Sequence, residues 1–120
     1  MIAVDTNLLV YAHREDSPWH GVALEAIRSI AEGGRPWGIP WPCVHEFLAI
    51  VTHPRIYRPP TPHGIALDAI RAWMESPTLR MIGEGPEYFS RLEELVRAGK
   101  VVGPMIHDAR IAAICLDHGI

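Results

Sequence analysis

The sequence predicts an α/β domain in which helices flank a short, central parallel sheet. Three apolar stretches of strand length alternate with longer stretches of helical periodicity, and this alternation indicates crossover units and a parallel sheet. The 120 residues suit one domain over 1–120, and a 48% hydrophobic content can bury a real core. We therefore expect a three-layer fold.

The first strand is the apolar run Ile2–Val4, which ends at Asp5 and is followed directly by a helix. Ser17 is placed to cap the second helix, with Pro18 in its first turn. The proline-rich segment 35–42 predicts only a brief, non-central strand, with its two tryptophans, Trp37 and Trp41, closing the core edge. The other predicted elements are helices at 43–52, 63–75, 86–98 and 105–118 and a strand at 79–82, with core positions at Phe89, Leu92, Leu95 and Val96.

Asp5 lies where an open α/β sheet binds its ligands, beyond the carboxyl end of a strand. Its alternative role is to cap the helix that begins near Asn7. Asn7 itself fits either a turn or an amide that holds a carboxylate. The sequence leaves these roles open.

Two more acids lie on helices that are otherwise apolar. Asp108 shares one predicted helix face with Ile111, Ala112 and Cys115, so it should point into the protein, where a carboxylate needs compensation. The free amides of the first helical turn offer one source of compensation and a metal ion offers another. Glu46 lies on a helix that is apolar almost all round, which leaves a buried and a solvent-facing glutamate about equally favoured.

Carboxylates that gather at one place repel each other unless cations intervene. Oxygen ligands from Asp and Glu suit Mg²⁺, with Mn²⁺ as the alternative, and such ions can activate water for phosphodiester hydrolysis. The seven histidines are scattered, and no Gly-rich phosphate loop appears. The acids therefore predict a metal site.

Composition narrows the class of protein further. The net charge of −3 gives no global positive field for nucleic acid, although Arg55 and Arg58 form a local basic cluster that is either a solvated loop or an RNA-phosphate contact. Cys43 and Cys115 have neither metal-ligand nor disulfide-framework spacing. No run reaches the ~18 apolar residues of a membrane span, and we expect a cytoplasmic protein.

These residues give the chain a resemblance to a known family. Ile2 to Tyr11, the helix with Glu46-Phe47, the segment 52–55 and His107 to Ala113 together resemble PIN-domain ribonucleases, specifically the VapC-type toxins of bacterial toxin–antitoxin systems. Each motif alone is weak, whereas their order and spacing along nearly the whole chain are fairly specific.

The resemblance implies a PIN-like fold and a Mg²⁺-dependent endoribonuclease that a VapB-like antitoxin neutralises. It makes Asp5, Glu46 and Asp108 the catalytic metal ligands, with Asn7 and Thr6 in support. It also implies an RNA substrate and a homodimer. Arg55, Arg58 and Arg110 are the candidate RNA contacts.

One departure from the family pattern matters for the prediction. These toxins usually carry another acid in a Thr-x-Asp-x-Asp-Phe stretch after a further strand, and the sequence stops before it. Asp117 does not match that acid and is expected to be a solvated helix-end residue. We therefore expect a truncated domain that lacks its C-terminal strand and leaves a sheet edge open. The alternatives to a nuclease are a catalytically incomplete PIN-like module that acts through its protein partner, and a hydrolase of small phosphates.

Overall fold

The computed structural model describes residues 1–120 and has the predicted α/β class. Six helices surround a three-stranded parallel sheet in the order β1-β2-β3. The elements are β1 Ile2–Ala3, α1 Thr6–His13, α2 His20–Glu32, β2 Trp37–Pro40, α3 Trp41–Val51, α4 His63–Met74, β3 Leu79–Ile82, α5 Tyr88–Gly99 and α6 Met105–Asp117.

The main core lies between the sheet and helices α1 to α4. Trp37 and Ile39, two residues apart on β2, face this core together with Phe47 of α3. Trp37 is 1% exposed, and its indole Nε1 donates to Ser76 Oγ at 3.1 Å, which satisfies the one polar atom of the ring. The role predicted for Trp37 at the core is confirmed. The same prediction was wrong for Trp41, whose side chain is 41% exposed because no other element covers it fully.

The brief strand exists, but the prediction of a non-central position was wrong. β2 is the middle strand of the sheet and pairs with both neighbours. Its prolines do not prevent this because Pro36 precedes the strand and Pro40 is its last residue, so the positions between them keep their N–H groups. β1 pairs with β2 alone and forms one edge of this sheet.

The start of α2 also differs from the prediction. Ser17 Oγ accepts from the Trp19 backbone N–H at 3.1 Å and so stabilises a tight turn, while the helix begins only at His20. Ser17 is therefore a turn residue and Pro18 lies before the helix.

The largest difference from the prediction concerns α5, which buries no residue at all. Phe89, predicted to be in the core, is 68% exposed, and Leu92, Leu95 and Val96 are only half-buried. The amphipathic pattern is real, but α5 packs mainly on α6, and this contact does not bury its apolar side chains fully.

Candidate functional site

Three predicted acids line one small cavity at the carboxyl edge of the sheet. Its volume is about 190 Å³. The carboxylates come from different elements: the end of β1, the second turn of α3 and the first turn of α6. The lining residues are Asp5, Thr6, Asn7, Glu46, Ile50, Asp108 and Ile111.

Asp5 caps α1 and also lines the cavity. Its backbone is extended and precedes α1, and its Oδ1 accepts from the Leu8 backbone N–H at 3.2 Å, as an N-cap does. The same side chain lines the cavity. Because only Oδ1 makes the capping bond, Oδ2 is free of protein hydrogen bonds.

Glu46 is positioned by a residue from another helix. Thr6 is 5% exposed, and its Oγ1 donates to Glu46 Oε2 at 2.6 Å. A hydrogen bond to an ionised oxygen is a strong one, so it fixes the glutamate rotamer and joins α1 to α3. Glu46 is thus half-buried at the cavity. Its side chain is neither fully buried in the core nor free in solvent, which were the two orientations that periodicity left open.

Asp108 reaches the cavity from an orientation that the sequence predicted incorrectly. The inward face of α6 consists of Ala109, Ala113 and Ile114, whereas Asp108 itself is exposed. The buried face of α6 begins one residue after the predicted face. Asp108 therefore lies at the edge of the apolar stripe and not within it. Its place in the first helical turn keeps it near the positive end of the helix dipole.

A buried thiol lies beneath the acids. Burial raises the pKa of Cys43 to about 11, with the nearby charges of Glu46 and Asp5 adding to the increase. The thiol is therefore protonated at neutral pH and unsuited to act as a nucleophile or soft metal ligand. Both cysteines are free, which agrees with the absence of a disulfide pattern.

None of the three predicted RNA contacts lines this cavity. Arg58 lines a separate polar cavity of about 430 Å³ together with Arg14, Glu15 and Asp16. Arg55 is exposed in the loop after α3. Arg110 Nε donates to Glu84 Oε1 at 2.6 Å, and this hydrogen bond lowers the pKa of Glu84.

The sequence reasoning missed two features of this edge. Glu84 follows β3 just as Asp5 follows β1, so the same strand-end rule could have identified it. Asp117 is not the solvated acid that was predicted: its Oδ1 accepts from the Glu87 backbone N–H at 3.0 Å, and its carboxylate occupies the space that a side chain at Gly85 would need. Asp117 therefore secures the end of α6 to the loop after β3.

Comparison with known proteins decides the family. The family model of the PIN domain matches residues 2–120. The chain belongs to the PIN-domain family. Among its PIN relatives, a VapC ribonuclease of Mycobacterium bovis and ribonuclease VapC43 of Mycobacterium tuberculosis are each 30% identical over 118 residues, which is 98% of this chain and 80% of theirs.

Two solved structures of VapC proteins share the fold of this chain. The Mycobacterium tuberculosis toxin VapC20, described as cleaving the sarcin–ricin loop, superposes with a TM-score of 0.69 at 19% identity and covers 100% of this chain and 85% of its own. The VapBC2 complex of Rickettsia felis, bound to a promoter DNA fragment, gives a TM-score of 0.64 at 17% identity over 99% and 83% of the two chains. The predicted VapC-type PIN fold is therefore confirmed. No helix is long and apolar enough to span a membrane.

Proposed function

We propose that this PIN protein is a Mg²⁺-dependent endoribonuclease toxin, with Asp5, Glu46 and Asp108 as its catalytic acids. The main support for the proposal is that these three acids, separated by up to 103 positions in the sequence, line a single cavity. The similarity of the chain to VapC ribonucleases adds to this support. Carboxylates that line one cavity repel each other, and a cation between them would remove this repulsion.

The charged donors of the cavity are of the chemical type that a hard divalent cation prefers. All three are carboxylates, and the hydrogen bonds to Asp5 and Glu46 each use one oxygen and leave the other free. In this structure no three acidic, histidine or cysteine side chains lie close enough together to hold an ion between them. A bound Mg²⁺ or Mn²⁺ would supply charge neutralisation and activation of water.

In this proposal, each residue of the site has its own role in the reaction. Asp5, Glu46 and Asp108 orient the attacking water at the scissile phosphate, and Thr6 holds the Glu46 carboxylate in place. Asn7 supports the rim of the cavity. Arg55, Arg58 and Arg110 would contact phosphates along the RNA rather than at the reacting group, since none of them lines the cavity.

We base the proposed partners of this protein on its VapC relatives. We expect a VapB-like antitoxin to neutralise the enzyme, a homodimer to form, and the protein to work in the cytoplasm. Family membership and the VapBC2 structural neighbour support an antitoxin partner.

The decisive variant is Asp5→Asn. Asparagine is as good an N-cap as aspartate, so α1 and the fold should be kept while one anionic oxygen is lost. We expect RNA cleavage to fall by at least about 100-fold, comparable to or greater than the loss of a residue that only supports a metal ligand. The measurement is cleavage of single-stranded RNA with Mg²⁺, with Mn²⁺ and with chelator.

The matched control is Asp68→Asn on α4, an exposed acid away from the cavity, which should cleave at the parent rate. If Asp5→Asn cleaves RNA as fast as the parent, or if the chelator has no effect, the assignment of the acids is wrong.

A second candidate is a partner-binding PIN module without catalysis. The absence of any three ligating side chains close enough together to hold an ion in this structure favours it. Formation of an antitoxin complex together with no RNA cleavage under any divalent ion would support this candidate and reject the nuclease.

A further inference from the structure

Helix α6, which carries Asp108, makes few apolar contacts with the rest of the protein. Its three buried residues, Ala109, Ala113 and Ile114, lie outside the main hydrophobic cluster. The helix packs mainly on α5, which itself buries no residue. Apolar packing therefore constrains the position of α6 less than that of α1 or α3, and its polar contacts become more important.

Two hydrogen bonds join α6 to a distant part of the sequence, and both lead to the loop after β3, residues 83–87. Arg110 Nε donates to Glu84 Oε1 at 2.6 Å, and Asp117 Oδ1 accepts from the Glu87 backbone N–H at 3.0 Å. The other hydrogen bonds of α6 lie within the helix or reach only its flanking residues. We refer to these two long-range bonds as the α6 clamp.

The loop 83–87 belongs to the same edge of the sheet as the other two acids. Asp5 follows β1, the helix with Glu46 follows β2, and the loop follows β3. The three strands are parallel and hydrogen-bonded in this order, so the sheet backbone fixes the loop relative to Asp5 and Glu46. The α6 clamp therefore relates Asp108 to the part of the fold that carries the other two carboxylates.

The two bonds of the α6 clamp are well separated along the helix. With a rise of 1.5 Å per residue, Arg110 lies about 3 Å and Asp117 about 13 Å beyond Asp108 along the axis. Two fixed points about 10 Å apart determine the tilt of a helix, because its internal hydrogen bonds keep it nearly rigid. A shift at the Asp117 end is thus transmitted to Asp108 at the other end.

The loop has space for the Asp117 carboxylate because it contains Gly85. A Cβ at Gly85 would overlap Asp117 Oδ2. Gly83 of the same loop differs, because a Cβ there would lie 3.5 Å from Trp41 Cδ1, which is an ordinary van der Waals contact. Neither glycine has a positive φ, so the backbone of the loop accepts alanine at both positions. Only at Gly85 would an added methyl group displace α6.

From these contacts we infer that the α6 clamp positions Asp108 relative to the other two acids. Its positioning residues are Glu84, Arg110 and Asp117, none of which lines the acid cavity. The inference rests on the proposed nuclease function and deepens it by assigning residues that act on the site through Asp108. Because they alter the geometry of the acids and not the binding of RNA, their loss should lower kcat and metal affinity more than it changes KM.

The first test displaces the Asp117 carboxylate without removing a charge. In the full chain, Gly85→Ala should lower kcat about 10- to 100-fold and weaken Mn²⁺ binding by a similar factor, with KM for RNA changed less than about twofold. Asp117→Ala should have the same effects, whereas Asp117→Asn keeps an oxygen acceptor for the Glu87 N–H and should stay close to the parent. Calorimetric titration measures Mn²⁺ affinity, and cleavage of single-stranded RNA gives kcat and KM.

The matched control is Gly83→Ala, which adds the same methyl group to the same loop. It keeps the Gly83 carbonyl, which the His118 ring contacts at 2.9 Å. This variant should cleave RNA and bind Mn²⁺ as the parent does. Thermal melts establish that every variant is folded at the assay temperature. A lower Tm with unchanged Mn²⁺ affinity and kcat in Gly85→Ala and Asp117→Ala would reduce the clamp to a contribution to stability and overturn the inference.

An exchange of charges separates positioning by Arg110 from the RNA contact predicted for it. Glu84→Arg alone places two like charges together and should lower kcat. Adding Arg110→Glu restores an ion pair with its charges reversed, and kcat should return to within about threefold of the parent value. A double variant that stays impaired with a raised KM for RNA would assign Arg110 to RNA binding and overturn its positioning role.

Parent values of kcat and Mn²⁺ affinity in both Gly85→Ala and Asp117→Ala would overturn the α6 clamp as a positioning device. Equal losses in Gly83→Ala would also overturn it, because the loop as a whole and not the contact with Asp117 would then be responsible. A parent chain that cleaves no RNA with any divalent ion would instead reject the proposed function, and this inference with it, so the two failures are distinguishable.

Discussion

The first 70 residues and the last two helices are packed in very different ways. All 14 residues of the main hydrophobic cluster lie between Val4 and Ile70, whereas α5 contributes no buried residue and α6 only three. Asp5 and Glu46 belong to the densely packed region, and Asp108 belongs to the sparsely packed one. The candidate site therefore lies at the junction of a densely packed and a sparsely packed part of the molecule.

Stability of local regions follows buried apolar contact. We expect α5 and α6 to open more readily than α1 to α4, so the third acid should be the one whose position adjusts most easily. This difference in packing gives a physical reason why the three carboxylates can line one cavity without lying in close contact with one another.

The largest contrast should come from two phenylalanines. Phe47 is fully buried and packs edge-on against Trp73, at 5.0 Å between ring centroids, so Phe47→Ala should lower the free energy of unfolding by about 3–5 kcal/mol. Phe89 on α5 is exposed, and Phe89→Ala should change it by no more than about 0.5 kcal/mol. Urea denaturation measures both, and similar losses would contradict the division into two regions.

Two arginines give a smaller contrast. The Arg14 side chain is 11% exposed; it donates to Asp16, to the Pro59 carbonyl and to Thr61, and lies 4.2 Å from the centroid of the Tyr57 ring. Arg14→Ala should cost about 1–2 kcal/mol, chiefly through the lost hydrogen bonds and packing onto the proline-rich loop.

Arg97 on α5 is the matched case, because it forms an i,i+4 pair with Glu93 at 3.2 Å but is largely exposed. Arg97→Ala should cost about 0.5 kcal/mol or less. Thermal melts of both variants provide the measurement. A loss for Arg97→Ala as large as that for Arg14→Ala would show that burial does not govern these contacts.

The smallest expected effect is a dependence of Tm on pH that arises from His13, which lies in the densely packed region. Burial lowers the pKa of His13, with the charges of Arg14 and His20 adding to the decrease. The folded state thus binds fewer protons than the unfolded state, so this contribution to stability is present above about pH 6.5 and declines as the pH falls below it. We expect His13→Gln to flatten the fall of Tm between about pH 7 and pH 5.

His107→Gln, on the exposed surface of α6, is the control and should leave the slope of Tm against pH unchanged. A parent slope retained in His13→Gln would assign the acid sensitivity to other groups.

Local sequence patterns sufficed for most of the elements. Strand β3 lies at 79–82 as predicted, and α4 and α6 end within one residue of their predicted ends. These elements depend on short-range apolar periodicity and on end signals such as Gly119, which a single sequence displays directly. A serine before a helix can either cap the helix or stabilise a turn. At Ser17 the sequence alone did not distinguish between these two roles.

Burial was harder to predict than secondary structure. Phe89 and Ile70 both lie on apolar helical stripes, yet only Ile70 is buried, because burial of a stripe depends on another element packing against it. The same reason separates Trp37 from Trp41. Periodicity shows that a helix or strand has an apolar face, but not whether the fold covers that face.

The sequence by itself determined the α/β class, the strand-end position of Asp5 and the expectation that Asp5, Glu46 and Asp108 share a site, whose metal-binding role stays a prediction. Only the tertiary structure decided that Thr6 orients Glu46 over a separation of 40 positions, that Asp108 lies at the edge of its helix face, and that Arg110 pairs with Glu84. The physical reason is that a local pattern reports the preference of a segment for its own conformation. Contacts between distant side chains depend instead on how the layers pack, which no short stretch of sequence contains.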